Sequence, residues 1–144
     1  MNCTQKDSAA GRAVAASWPP GEPGAAQQPG MAIAAMMREV AAWEGVAVVE
    51  HGYGAVEFRL GRRELGHLYA SFADLPFPRR LRDELVAAGR AYPHHVLPDS
   101  GWITVAMRTA SEVAAVKELL RQNYDRATRA AEAAHSGPRV PLFY

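Results

Sequence analysis

Two β-patterned runs separated by only two residues, Gly61 and Arg62, constrain the fold of this chain more than any other feature. A two-residue connection that begins with glycine is typical of a tight β-hairpin turn. The flanking runs, residues 55–60 and 63–70, are therefore predicted to pair as antiparallel neighbours. Because a hairpin determines both the strand directions and the residues that face each other, this segment predicts an antiparallel sheet.

Counting outward from the turn predicts the register of the hairpin. Leu60 then faces Arg63. In the next pair the opposite charges of Arg59 and Glu64 face each other, which supports this register. The remaining predicted pairs are Phe58 with Leu65, Glu57 with Gly66, and Val56 with His67. Since side chains alternate between the two faces of a strand, this register places His67 on the apolar face of the hairpin.

Three segments have helical periodicity. Apolar residues recur at intervals of three and four over residues 32–44, which predicts an N-terminal helix. A short middle helix is predicted over residues 78–89. The pattern Thr-x-x-Glu at Thr109 and Glu112 is a capping box, and it predicts the start of a long C-terminal helix that extends to residue 134.

Two further strands are predicted at residues 46–51 and 102–108, because β-branched and apolar residues dominate both runs. Residues 74–78 are predicted to be extended but outside the interior of the sheet, since they contain two prolines. The resulting order of elements predicts an α+β fold. An antiparallel sheet built on the hairpin packs against an N-terminal helix, a short middle helix and a long C-terminal helix.

The ends of the chain differ in composition from its middle. Residues 1–30 are rich in alanine, glycine, proline and glutamine, and a segment of this composition is predicted to be a disordered tail. Residues 31–135 are predicted to form one α+β domain, with Met31 as an alternative native start. Residues 136–144 are predicted to form a C-terminal tail.

The charge balance and the cysteine content exclude several classes of protein. The 16 basic and 15 acidic residues give a formal net charge of +1, which does not favour binding to nucleic acid. Cys3 is the only cysteine, so neither an internal disulfide nor a multi-cysteine metal site can form. No continuous apolar run has the length needed to span a membrane. We therefore expect a cytoplasmic protein with no membrane partner.

Residues 94–102, with the sequence HHVLPDSGW, form the segment richest in chemistry-bearing side chains. Functional side chains often lie in loops that a rigid scaffold positions. One interpretation is that a histidine of this loop activates the hydroxyl group of Ser100 as a nucleophile. The competing interpretation is that residues 99–101 form a structural turn before the strand, and the composition of the segment favours the turn.

Four segments together resemble the bacterial luciferase domain family. They are residues 57–68 (EFRLGRRELGHL), 74–78 (DLPFP), 82–86 (RDELV) and 94–102 (HHVLPDSGW), and the resemblance extends over residues 35–127. It implies kinship with fungal luciferases, which are similar to cofactor-free oxygenases that act on a pyrone. Family members often have Gly-His-Leu-His-Gly at the end of the hairpin, whereas this chain has Tyr69 in place of the second histidine. If the family uses a histidine pair, this chain either lacks that pair or uses His94 or His95 as the partner of His67.

The favoured function is that of a luciferase-domain protein that binds a small aromatic molecule in a pocket with histidines at its centre. The family resemblance further implies a cofactor-free oxygenase activity. The candidate catalytic residues are His67, His94 and His95, because an imidazole titrates near neutral pH and can act as a base. The candidate ligand-binding residues are Phe58, Tyr69, Phe77, Ser100 and Trp102. No cofactor is expected, and no metal site is expected because no histidine pair has a recognised ligand spacing.

The alternative function is a non-enzymatic interaction or DNA-binding module. The order of hairpin, tryptophan-bearing strand and a final helix ending near Asn123 and Tyr124 is similar to that of the MmcQ/YjbR double-wing proteins. Such a module would present a basic patch on its surface. The arginines that could form this patch are Arg59, Arg62, Arg63, Arg79, Arg80 and Arg82.

Overall fold

The computed structural model describes residues 29–51 and 54–137 of the 144-residue chain. Along the chain its elements are α1 (Pro29–Ala41), β1 (Val46–Glu50), β2 (Val56–Leu60), β3 (Arg63–Leu68), β4 (Phe72–Pro76), α2 (Arg79–Ala87), β5 (Tyr92–Pro93), β6 (Trp102–Ala106) and α3 (Ala110–His135). The strands of the described ranges join one antiparallel sheet in the order β1-β2-β3-β4-β6-β5. The predicted α+β class and its three helices are confirmed.

Residues 72–76 form a central strand, which corrects the expectation that prolines keep this segment out of the sheet interior. β4 pairs with β3 on one side and with β6 on the other. Pro76 is its last residue and Pro78 lies beyond it, so the preceding residues of the strand keep their N–H groups. The backbone N–H of Phe77 then donates to the carbonyl of Gly101 at 3.0 Å, which ties the end of β4 to the loop before β6.

One face of the sheet carries the hydrophobic core. The helix α3 contacts β2, β3, β4 and β6, and α1 packs against α3 and β1. α3 buries an apolar stripe at helical spacing, as its sequence predicts: Val113, Val116, Leu119, Leu120 and Ala127. The strand residues in the same core are Val56, Phe58, Leu68, Ala73, Leu75, Ile103 and Val105. Because side chains alternate along a strand, the residues between these face away from the helices.

The hairpin departs from the predicted register at a β-bulge. The two pairs beside the turn form as predicted, Leu60 with Arg63 and Arg59 with Glu64. Leu65 is then an extra residue in β3, because Phe58 pairs with Gly66. Every later pair is shifted by one position, so that Glu57 faces His67. The expectation that His67 lies on the apolar face is therefore wrong, and His67 lies on the opposite face.

The spacing of two leucines explains the bulge. Leu65 and Leu68 are three residues apart, so strict alternation would direct only one of them into the core. With the extra residue in β3, both are buried in the core. The side-chain amide of Asn123, itself buried on α3, donates to the Leu65 carbonyl at 2.9 Å. This bond satisfies a backbone group at the point where the bulge interrupts the ladder.

The helix boundaries agree with the sequence to within a few residues. α1 begins at Pro29, so the predicted tail overlaps this helix by two residues, and residues 1–28 lie outside the described ranges. The predicted stop Gly45 follows α1 with a left-handed φ of 81°. α3 ends at His135, and the predicted C-terminal tail beyond residue 137 also lies outside the described ranges. None of the described helices has both the length and the apolar character needed to cross a membrane.

The start of α3 permits a first test. Thr109 Oγ1 accepts from the backbone N–H of Glu112 at 3.1 Å, as the capping box predicts. Replacing Thr109 by alanine removes this bond and is expected to lower the free energy of unfolding by about 1 kcal/mol. Urea-induced unfolding measures the loss, with Ser111→Ala as the control, because Ser111 is exposed in the same turn. An equal loss in both variants would show that the cap contributes nothing specific.

Candidate functional site

A row of polar side chains crosses the sheet on the face opposite the helices. Strand pairing places Glu57, His67, Asp74 and Thr104 next to one another on β2, β3, β4 and β6. The two acidic residues and Thr104 are at most 3% exposed. Acidic side chains are depleted from strands, and a buried carboxylate costs free energy unless it is paired. The two carboxylates of this row must therefore have specific partners.

The partners of Glu57 form a group that we name the His51 cluster: His51, Glu57, Arg59, Glu64 and His67. Glu57 Oε2 lies 2.7 Å from Nε2 of His51 and 3.4 Å from Nε2 of His67. Its other oxygen accepts from the Arg59 guanidinium at 2.5 Å. The Glu64 carboxylate contacts Nδ1 of His67. Two imidazoles, with ring centroids 4.9 Å apart, thus face one carboxylate oxygen.

Burial and charge shift the pKa values within the His51 cluster. Burial acts to raise the pKa of Glu57, but the hydrogen bond from His51 and the neighbouring positive charges outweigh it and lower that pKa. Burial, and then the charge of Glu57, raise the pKa of Glu64 to about 7. Burial lowers the pKa of His67, although the charge of Glu57 opposes this effect. The cluster therefore favours an ionised Glu57 beside an uncharged His67.

The partners of Asp74 form a second group, the Asp74 cluster: Asp74, His94, His95 and Thr104. The Thr104 hydroxyl donates to Asp74 Oδ1 at 2.7 Å. Nε2 of His94 lies 3.3 Å from Asp74 Oδ2, and Nδ1 of His95 lies 4.0 Å from Oδ1. Nδ1 of His94 accepts from the backbone N–H groups two and three residues further along the chain, at 3.2 and 3.1 Å. Because Nδ1 is an acceptor, the proton of the neutral imidazole lies on Nε2 and points to Asp74.

Two arginines of α2 hold the loop that precedes β6. Arg79 donates to the carbonyl of Asp99, and Arg82 donates to the carbonyl of Pro98. Both arginines belong to the candidate basic patch predicted from the sequence. Their partners in the structure explain why cations occupy the first turn of a helix whose dipole opposes them.

Aromatic rings lie on both sides of Asp74 along β4. On one side, the ring centroid of Trp102 is 6.3 Å from that of His67 and 5.9 Å from that of His94. On the other side, Tyr69 stacks on Phe72 with centroids 4.4 Å apart. Trp102 therefore contacts both the His51 cluster and the Asp74 cluster.

A cavity of about 360 Å³ lies beside Trp102, between the start of β3, the end of β4 and the C-terminal half of α3. Its lining combines apolar and charged side chains, among them Arg63, Glu64, Phe77, Trp102, Asn123 and Arg126. The guanidinium of Arg126 lies over the Phe77 ring, 4.7 Å from its centroid. Glu64 belongs both to the cavity and to the His51 cluster, so the cavity and this cluster are adjacent.

The structure separates the residues that sequence analysis assigned to ligand binding. Phe77 and Trp102 line the cavity. Tyr69 lies against Phe72 on the polar face of the sheet. Phe58 is fully buried in the core beneath the helices, so the sheet lies between Phe58 and His67.

Ser100 lies in a turn of the loop. Its hydroxyl donates to the Leu97 carbonyl at 2.6 Å and accepts from the backbone N–H of Trp102 at 3.2 Å. Both hydrogen bonds of the hydroxyl are therefore local, as in the interpretation of residues 99–101 as a structural turn. The candidate histidines lie elsewhere: His67 in the His51 cluster, and His94 and His95 in the Asp74 cluster.

Three residues of this face were not among the candidates predicted from the sequence: His51, Glu57 and Asp74. They complete two sets of three side chains whose ligand atoms lie within 4.8 Å of one another, one set in each cluster. The expectation of no metal site rested on spacing along the chain, whereas these sets are assembled by strand pairing. A signal was present nonetheless, because each acidic residue interrupts an otherwise β-prone run.

Comparison with known proteins finds similarity to a family model over part of the chain. Residues 62–123 match the model of the Luciferase domain family. The match begins in the hairpin turn and includes His67, His94, His95 and Trp102, and it confirms the predicted resemblance over these residues. No curated protein and no solved structure matches the chain significantly.

Proposed function

We propose that this luciferase-domain protein binds a small planar molecule with an anionic group in the cavity beside Trp102. The observation that carries the proposal is the cavity lining, in which two aromatic residues, Trp102 and Phe77, and two arginines, Arg63 and Arg126, border a volume of about 360 Å³. This volume lies within the usual range of ligand pockets. Aromatic rings stack on planar molecules, and guanidinium groups pair with carboxylate oxygens.

The proposal includes an oxygenase activity toward the bound molecule, and the family resemblance supports this activity. Two residues of the cavity lining, Glu64 and Trp102, contact or adjoin His67. His94 also adjoins Trp102, but its two ring nitrogens already face backbone N–H groups and Asp74. Turnover of a bound molecule is therefore expected to depend on His67 more than on His94.

The alternative of a DNA-binding module stays a prediction. Two of the arginines assigned to its basic patch, Arg79 and Arg82, donate to loop carbonyls. Binding to phosphates would weaken steeply as salt is added, because it releases counterions. This behaviour separates duplex binding from binding in the cavity.

Isothermal titration calorimetry with a panel of hydroxypyrones and aryl carboxylates tests the proposal. Arg63→Gln removes one cation from the cavity and is expected to weaken binding about tenfold. Arg62→Gln is the matched control, because Arg62 is exposed in the hairpin turn and is not among the lining residues. Failure of the whole panel to bind, or affinities unchanged by both Arg63→Gln and Trp102→Ala, would overturn the cavity assignment. Salt-sensitive binding of a DNA duplex would instead favour the alternative.

A further inference from the structure

We propose that His51, Glu57 and His67 bind a divalent transition-metal ion, and this inference does not depend on the cavity ligand. The three ligand atoms all lie within 4.8 Å of one another. Ligand atoms around a tetrahedral zinc ion are roughly 3.3 Å apart, given metal–ligand distances near 2 Å. The distances of 2.7 and 3.4 Å from Glu57 Oε2 to the two imidazole nitrogens are close to this value. Two imidazoles and one carboxylate are a donor set that first-row transition metals use.

The surroundings of His67 favour the tautomer that a metal requires. A metal-bound histidine usually donates its other ring N–H to a carboxylate or carbonyl oxygen. Glu64 Oε1 lies against Nδ1 of His67, and it is buried with no hydrogen-bond partner within the described residues. A proton on Nδ1 would satisfy this oxygen. The lone pair of Nε2 would then be directed toward Glu57.

The surroundings of Glu57 leave one oxygen for an ion. Arg59 occupies Oε1, whereas Oε2 faces both imidazoles. The Glu57 side chain is only 4% exposed, but that of His51 is 43% exposed. The three ligands are therefore shielded from solvent on the side of Glu57 and accessible to solvent on the side of His51. Three protein ligands leave further coordination positions for water or a small molecule.

The Asp74 cluster also contains two imidazoles and a carboxylate, but the hydrogen bonds of His94 favour the other tautomer of the ring. Nδ1 of His94 accepts two backbone N–H groups, so its proton lies on Nε2, the atom that faces Asp74. A metal ion at this nitrogen would require the proton to move to Nδ1, which would break both hydrogen bonds from the backbone. The hydroxyl of Thr104 also occupies Asp74 Oδ1. We therefore assign the ion to the His51 cluster and use the Asp74 cluster as the comparison.

Metal titration of the full-length chain without an affinity tag tests the site, after bound metals are removed with a chelator. Co²⁺ is the optical probe, because its visible absorption reports coordination, and Zn²⁺ stoichiometry is measured by mass spectrometry. We expect one equivalent to bind. His51→Ala and Glu57→Gln are each expected to weaken binding at least about 100-fold, as loss of a ligand exceeds the effect of losing a supporting hydrogen bond. Circular dichroism checks that His51→Ala, an exposed substitution, is folded.

His95→Ala is the matched control, because it removes an imidazole from the Asp74 cluster alone. Its Co²⁺ affinity is expected to equal that of the unmodified chain. Three results would each overturn the assignment. They are a Co²⁺ affinity that His51→Ala leaves unchanged, a Co²⁺ affinity that is lost in His95→Ala, and the absence of a Co²⁺ spectrum at millimolar metal. Arg63→Gln leaves all three ligands in place, so failure of the cavity proposal and failure of the metal proposal are distinguishable.

Discussion

Replacing Gly101 by alanine is expected to lower the free energy of unfolding by about 3 kcal/mol, the upper end of the usual cost of overpacking. A Cβ atom at this position would lie 2.0 Å from the carbonyl oxygen of Phe77 and 3.2 Å from its carbonyl carbon. Both atoms belong to the backbone, so no change of side-chain rotamer relieves the contact. The loop before β6 would have to move away from the end of β4, and the hydrogen bond from Phe77 N–H to the Gly101 carbonyl would be strained.

Gly30→Ala is the matched control for this substitution. Gly30 lies in α1, and a Cβ added there meets nothing within 4 Å. Because alanine has the higher helix propensity, by up to about 1 kcal/mol, this variant is expected to be at least as stable as the unmodified chain. Equilibrium unfolding in urea measures both variants. A loss below about 1 kcal/mol for Gly101→Ala would mean that the fold tolerates separation of the loop from β4.

The hairpin shows how far local sequence determines this fold. The glycine turn and the facing charges of Arg59 and Glu64 correctly predicted the strands and the first two pairs. Beyond them the register depends on whether β3 contains an extra residue, which the alternation of side chains alone does not determine. The three-residue spacing of Leu65 and Leu68 was the sequence feature that indicated this extra residue. The group that satisfies the bulge, Asn123, is 58 residues further along the chain, so its contribution could not be read from the hairpin.

The candidate site could be predicted only where its residues are close in sequence. The loop histidines and Trp102 occur within nine residues of one another, and their composition marked them as candidates. His51, Glu57 and Asp74 lie on or beside different strands, and only the strand order brings them next to the histidines. That order includes the insertion of β4 between β3 and β6. Because the two prolines of residues 74–78 predicted a segment outside the sheet interior, Asp74 was not recognised as a neighbour of the histidines.

Replacing Asn123 by leucine is expected to lower the free energy of unfolding by about 2 kcal/mol. The substitution keeps the branched shape and the number of heavy atoms of the side chain but removes the donor to the buried Leu65 carbonyl. A buried carbonyl left without a partner costs about 1–3 kcal/mol. Arg126 also donates to the side-chain oxygen of Asn123, so a second polar group at the cavity wall loses a partner.

The hairpin register provides a second readout for Asn123→Leu, because the bulge keeps His67 on the same face as Glu57. Amide hydrogen exchange in β2 and β3 is expected to accelerate relative to β6, and Co²⁺ binding is expected to weaken if the proposed metal site forms. Gln122→Leu is the control, since Gln122 is an exposed neighbour on the same helix. Suppose that Asn123→Leu unfolds, exchanges and binds Co²⁺ as this control does. Burial of Leu65 and Leu68 would then hold the bulge without the amide, and the packing of two leucines alone would direct His67 toward Glu57.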